Sequence, residues 1–235
     1  MLVLYTIFSN QSELGEAIVI VLSGTIGAGK TSLTTMLAEH FGTQAFYESI
    51  EENEILPLFY ENPEQYAFLL QIYFLNHRFA SIKQAVQEEN NVMDRSIYED
   101  SLLFHLNADL GRATAAEVNV YDELLGNMME ELPYASHKKH PDLLVHIRVS
   151  FETMLRRIEK RGREYEQFAE NTALRDYYQE LHARYDDWFE SYNESPKMLI
   201  DGDVYNFVEC PEAKTEVLKM IEEKLAEIKE EQLIS

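Results

Sequence analysis

Five short β-rich runs alternate with helical stretches along this chain, and that alternation restricts the fold before any motif is considered. The runs are AIVIVLS (17–23), QAFYE (44–48), NVMD (91–94), LLVHIRV (143–149) and KMLID (197–201). The first and fourth are nearly continuous apolar runs, the pattern of parallel strands covered on both faces. Strands separated by helices predict a doubly wound, three-layer α/β fold around a five-stranded parallel sheet. The longest helix is expected from Pro63 through residue 89. The charged tail keeps Val217, Met220, Ile221, Leu225 and Ile228 at helical spacing, which predicts a closing amphipathic helix. In such sheets ligands sit beyond the carboxyl ends of the strands. The residues that follow each run are therefore the candidates for chemistry.

After the first run, Gly24-Thr25-Ile26-Gly27-Ala28-Gly29-Lys30-Thr31 fits G-x-x-x-x-G-K-[ST] without mismatch. Its glycines let backbone N–H groups point inward at phosphate oxygens. Lys30 adds a point charge for the β- and γ-phosphates, and Thr31 a hydroxyl for Mg²⁺. The next residues, TSLTTMLAEHF, read as a helix ending at Gly42. The positive end of its dipole favours an anion. The motif implies a held nucleotide and leaves the acceptor open.

The second run ends at Glu48, and this carboxylate bears on the acceptor. An alcohol must lose its proton as it attacks phosphorus, and a positioned carboxylate can take it, whereas an acceptor phosphate needs no base. After the third run stand Asp94, Arg95 and Ser96. Asp94 is placed like a Walker-B acid that orders Mg²⁺ through water, and Arg95 can hold an acceptor oxygen and the moving phosphoryl group. Ser96-Ile97-Tyr98-Glu99 is a capping box, and Asp100 lies in the first turn of the helix it opens. After the fourth run, Arg156, Arg157, Lys160, Arg161 and Arg163 crowd into eight residues, interrupted by Gly162. A lid over a triphosphate, spanning about residues 156–168, explains that crowding in an acidic chain.

The formal net charge is −22, which opposes binding to nucleic acid. The single cysteine, Cys210, excludes a disulfide within the chain. No apolar stretch reaches the length of a membrane span, and the first ten residues lack the basic flank of a signal peptide. A cytoplasmic protein that does not engage membranes is the expectation.

The segments GTIGAGKT, FYES, FYENPEQYAFLLQIYFLNHRF, DRSIYED and RIEKRGREYEQ together resemble the deoxyribonucleoside kinase family, the group of deoxyadenosine, deoxyguanosine and deoxycytidine kinases. The likeness runs over roughly residues 17–230, a single kinase domain, while residues 1–16 match nothing in the family. Those residues read equally as an extra docked segment, a flexible arm or a misassigned start.

The resemblance implies ATP as donor, Mg²⁺ as cofactor and a homodimer formed through helices flanking the sheet. It implies that Gly24, Thr25, Ile26, Gly27, Ala28, Gly29, Lys30, Thr31 and Ser32 bind ATP, with Arg157 near the donor adenine and Arg161 and Arg163 in the lid. Glu48 matches the base for the nucleoside 5′-hydroxyl, beside Arg95 and Lys30 in catalysis. The family often has Glu-Pro where this chain has Glu48-Ser49, so the local strand geometry is expected to differ slightly. Tyr60 and Glu166 match the pair that holds the sugar 3′-hydroxyl, and Gln71 the glutamine that reads the base edge. Arg78 and Asp100 match an arginine–aspartate pair beyond the base. Thr31, Asp94 (through water) and Glu48 match the metal site.

Thymidine-accepting relatives tend to have small or uncharged residues at the Asp100 position, so purine deoxynucleosides are the expected substrates. Deoxycytidine or a broad range is the alternative. A thymidylate-kinase-like enzyme would need cations where Glu48 stands. Phe68 and Phe104 are candidates for stacking on the base or for core. The loop DGDVYNF after the fifth run is either a donor-adenine contact or a simple turn.

Overall fold

The computed structural model describes residues 18–48, 50, 53–85, 90–135 and 140–234. Residues 1–16, the expected extension, lie outside them. Strand β1 (Val19–Ser23) runs into the glycine loop and helix α1 (Lys30–Phe41), which ends at Gly42. Strand β2 (Gln44–Phe46) leads to α2 (Ile55–Glu61) and α3 (Pro63–Ala85). Next come β3 (Asn91–Asp94), α4 (Ile97–Asp109) and α5 (Ala115–Ala135). Strand β4 (Leu143–Arg148) is followed by α6 (Phe151–Arg161), a 3₁₀ turn (Glu164–Glu166) and α7 (Thr172–Ser191). Strand β5 (Lys197–Asp201) and α8 (Pro211–Ile234) close the chain.

All five strands are parallel, in the order β2-β3-β1-β4-β5. The five-stranded sheet predicted above is therefore present, and β3 and β5 have the predicted ends. Strand β2 stops at Phe46 rather than at Glu48, because the chain turns out to place Tyr47 half in solvent. Strand β4 stops at Arg148 instead of Val149. The long helix α3 is described to Ala85, and the rest of its predicted length, 86–89, lies outside the described residues.

Residues Leu143–Ile147 of β4 and Ile20–Leu22 of β1 are buried, as central parallel strands require. Leu22 is level with Asp94 and with Val145, and Phe46 with Met93. That register brings Gly24, Glu48, Arg95 and Gly202 to one edge of the sheet. Chain order reverses direction on either side of β1, and the crevice at such a reversal is where α/β sheets bind ligands. Helix α8 packs Val217, Ile221, Leu225 and Ile228 into the core, as their spacing predicted. Among the described residues no helix is long and apolar enough to cross a membrane.

Candidate active site

The glycine loop begins where β1 ends. Gly24 has φ 141°, and a Cβ there would come within 2.5 Å of the Ile147 carbonyl oxygen, so the position requires glycine. Helix α1 starts at Lys30 with no side chain capping its N–H groups and no acid in its first turn. Those free donors and the dipole behind them suit an anion. Lys30 is buried and lies along the loop, donating from Nζ to Gly24 O at 2.7 Å and to Thr25 O at 3.0 Å. Burial, with Arg95 next in effect, lowers its pKa to about 8.

Glu48 stands two residues past β2, its side chain held among cations. Arg78 Nη2 donates to Glu48 Oε1 at 3.0 Å. Arg95 Nε lies 2.6 Å from the same oxygen, but its N–H is not aimed there, so this contact is Coulombic and not an aligned hydrogen bond. Burial pushes the Glu48 pKa up, but Arg95, Arg78 and Lys30 together outweigh it and bring it to about 2. The carboxylate is thus ionised at any working pH.

Arg78 does more than the sequence assigned to it. Its Nε donates to Asp100 Oδ2 at 3.1 Å, and its Nη1 to the Asp94 carbonyl oxygen at 2.7 Å. The arginine–aspartate pair is present, and it also anchors Glu48 and the end of β3. Gln71 lies two helical turns before Arg78 on α3, buried, and its Oε1 has no hydrogen-bond partner. A buried amide oxygen without a donor suits a ligand that brings one.

Asp94 Oδ2 accepts from the Thr31 hydroxyl at 2.5 Å, while its Oδ1 is buried without a partner. Two hard oxygen ligands side by side, one of them unsatisfied, fit Mg²⁺ held through water and substrate phosphates. Ser96 caps α4: its Oγ accepts from the Tyr98 N–H at 3.1 Å, and the capping box is complete.

Arg157 donates from Nη1 to Ala28 O at 2.8 Å and from Nη2 to Gly202 O at 2.9 Å. It thereby ties the glycine loop to the loop after β5. That second loop seats Phe207 in the core, where a Cβ on Gly29 would meet its ring at 3.2 Å. Helix α6 ends at Gly162 (φ 72°), and Arg161 and Arg163 both turn to Glu166. Arg161 Nη2 is 2.5 Å from Oε2, and Arg163 Nη1 is 3.4 Å from Oε1. Tyr60 packs its ring on Tyr165 at 5.4 Å between centroids, and burial, with Tyr178 next in effect, raises its pKa. Tyr178 donates to the Glu166 carbonyl oxygen at 3.1 Å. Tyr60 and Glu166 therefore lie in one neighbourhood, beside a tyrosine that the sequence did not single out.

Phe104 is fully buried in a cluster with Leu75, Ile97 and Tyr121, which makes it core. Phe68 packs on its ring at 6.0 Å between centroids. The other residues missed from sequence are Glu99 and Tyr185. The capping-box spacing named Glu99 as a helix cap but carried no sign that it also reaches Gly24.

A family model described as deoxynucleoside kinase matches residues 20–226. The deoxyguanosine kinase of Lactobacillus johnsonii is 60% identical over 210 residues, 89% of this chain and 93% of that protein. The deoxyadenosine kinase of Lactobacillus acidophilus is 56% identical over 210 residues, 89% of this chain and 97% of that protein. Among solved structures, the deoxyadenosine kinase of M. mycoides with bound dATP superposes with a TM-score of 0.71 at 28% identity, covering 88% of this chain and 98% of that one.

Proposed function

The chain belongs to the deoxynucleoside kinase family, and from that premise we propose that it transfers the γ-phosphoryl group of ATP to the 5′-hydroxyl of deoxyadenosine and deoxyguanosine. The observation that carries the acceptor half is Glu48: an ionised carboxylate at the sheet edge, beside Arg95 and the phosphate loop. The purine preference is supported by relatives named for deoxyguanosine and for deoxyadenosine at similar identity. The buried Arg78–Asp100 pair also supports it, occupying the place where thymidine-accepting relatives tend to be smaller.

In this reading the donor phosphates lie on the loop from Gly24 to Ser32, against Lys30 and the open N-terminus of α1. Thr31 and Asp94, with Glu48 nearby, would hold Mg²⁺, which supplies charge neutralisation at the phosphates. Glu48 accepts the hydroxyl proton as the oxygen attacks, and Arg95 faces the acceptor oxygen and the moving group. Tyr60 and Glu166 orient the sugar, and Gln71 meets the base edge with its unpartnered oxygen. Arg161 and Arg163 leave Glu166 for the triphosphate as the segment 156–168 closes, and Arg157 stays against the donor base. The protein acts in the cytoplasm on small molecules. It works as a homodimer, with Leu69 of α3 and Val120 of α5 exposed on adjacent packed helices. Light scattering at a single-chain mass would remove the homodimer from this reading.

A phosphotransfer assay with ATP and each of the four deoxynucleosides tests the assignment. Deoxyadenosine and deoxyguanosine are expected to be used at least about tenfold better, in kcat/KM, than thymidine. A preference for deoxycytidine would move the assignment to the pyrimidine, and no transfer to any of the four would end it.

Lys30 gives a second check, on the donor. Its pKa is lowered to about 8, and triphosphate charge beside it raises that value again. ATP binding at pH 8 is therefore expected to take up about half a proton, falling towards zero at pH 6.5, where Lys30 is already protonated. Calorimetry in buffers of different ionisation enthalpy reads this directly. Zero uptake at pH 8 would mean that Lys30 is already charged before ATP binds or that its charge lies away from the phosphates.

A further inference from the structure

Glu99 is completely buried, and its neighbours use both of its oxygens. Oε2 accepts from the Ser96 N–H at 2.9 Å, the capping-box contact. Oε1 does something a cap does not require. It accepts from the N–H of Gly24, the first residue of the phosphate loop, at 3.1 Å, and from the Tyr185 hydroxyl at 3.1 Å. Arg95 Nη1 lies 3.5 Å from Oε1 and donates to the Tyr185 oxygen at 3.0 Å. Burial raises the Glu99 pKa, and Arg95, Lys30 and the two N–H donors offset that only in part. The two N–H groups and Arg95 can only donate, so the Tyr185 hydroxyl is the one contact here that could turn to accept a carboxyl proton.

Arg95 itself sits at φ 77°, in the left-handed region that residues with a side chain seldom use. Such a conformation persists where the surroundings over-determine it. Here its N–H is fixed to Leu22 O at 3.0 Å, while its guanidinium is fixed by Glu99 and Tyr185.

We propose that Glu99 is a positioning residue for the phosphoryl transfer: with Tyr185 it brackets the Arg95 guanidinium and ties it to Gly24, so that the arginine facing the acceptor and the loop holding the donor keep one separation. This rests on Arg95 facing the acceptor oxygen. A displaced guanidinium costs turnover more than binding, because its contacts strengthen as charge develops.

The test is steady-state kinetics on Glu99→Gln, Tyr185→Phe and Arg95→Lys, with each of the first two also combined with Arg95→Lys, and thermal denaturation as the check on folding. Glutamine keeps the shape but turns one oxygen into a donor facing donors. Glu99→Gln is expected to lower kcat about 30-fold and Tyr185→Phe about fivefold, with both KM values within about threefold of the parent. In the Arg95→Lys background each is expected to cost less than about twofold more, since the group it positions is already gone. Parent-like kcat in Glu99→Gln, or the same loss with and without Arg95→Lys, overturns the proposal. If Arg95→Lys alone retains parent kcat, the assignment of Arg95 is at fault and the proposal falls with it. If Glu99→Gln does not fold, Tyr185→Phe, which removes a single oxygen, decides by the same two comparisons.

Discussion

Glu48→Gln is expected to lower kcat by about 100-fold or more while ATP binding is kept. Glutamine can still accept a hydrogen bond from the 5′-hydroxyl, so orientation survives; what is lost is the site that receives the proton. The fold is expected to hold. Without the carboxylate charge, Arg78 keeps Asp100 and the Asp94 carbonyl, and Arg95 keeps Tyr185 and Glu99. A base with a pKa of about 2 does not remove the proton in advance. In a loose transition state it need not, because the hydroxyl becomes acidic only as its bond to phosphorus forms. The same shift sets the pH dependence. The folded pKa is below the usual 4.5, so Glu48 contributes stability that is present above pH 4.5 and lost as pH falls towards 2. It also predicts no loss of kcat/KM from Glu48 between about pH 9 and about pH 5. Kinetics on the variant, with ATP binding measured separately, check both parts. Near-parent turnover would remove Glu48 from the base role.

What could be read from sequence was what local chemistry dictates. The phosphate loop is legible because glycines are needed where a Cβ would strike a carbonyl, as at Gly24. Strand β3 and the cap at Ser96 are legible because an apolar run meets a serine with a glutamate three residues on. Strand β2 was overextended because Tyr47 and Glu48 continue its β-rich composition, although neither is held in a strand. The connections between these parts were not legible. Glu99 and Tyr185 are 86 positions apart, and Arg78 and Glu48 are 30 apart. Each pair meets only because helices α3, α4 and α7 and the loop after β2 come together at the same sheet edge. A glutamate after a serine looks the same whether its second oxygen faces water or the first glycine of a phosphate loop. Family resemblance supplied Gln71, Tyr60 and Glu166, whose residue types alone are common on helix surfaces and in cores. The unpartnered Gln71 oxygen and the Tyr178 bond to the Glu166 carbonyl, beside Tyr60, are what the fold adds to them.

The second large effect concerns Asp100, where selectivity and stability meet. Asp100 is fully buried, and among the described residues its acid partner role towards Arg78 is shared only with Glu48. Removing one member of a buried pair leaves the other charge in an apolar setting, which typically costs about 3–5 kcal/mol. Asp100→Ala is therefore expected to lower the melting temperature by roughly 10 °C, read by calorimetry or dye binding. Adding Arg78→Met removes the stranded cation and is expected to return most of that stability, a coupling a thermodynamic cycle measures directly. The double variant should also use thymidine at least about tenfold better relative to deoxyadenosine, because the charged pair no longer fills the space beyond Gln71. It should do so at reduced turnover on every nucleoside, since Arg78 also holds Glu48 and the Asp94 carbonyl. An unchanged ratio of thymidine to deoxyadenosine would show that the pair sets the position of the base-reading and proton-accepting groups without selecting the base. Relaxed selectivity with undiminished turnover would show the reverse: Glu48 is then held well enough by Arg95 alone.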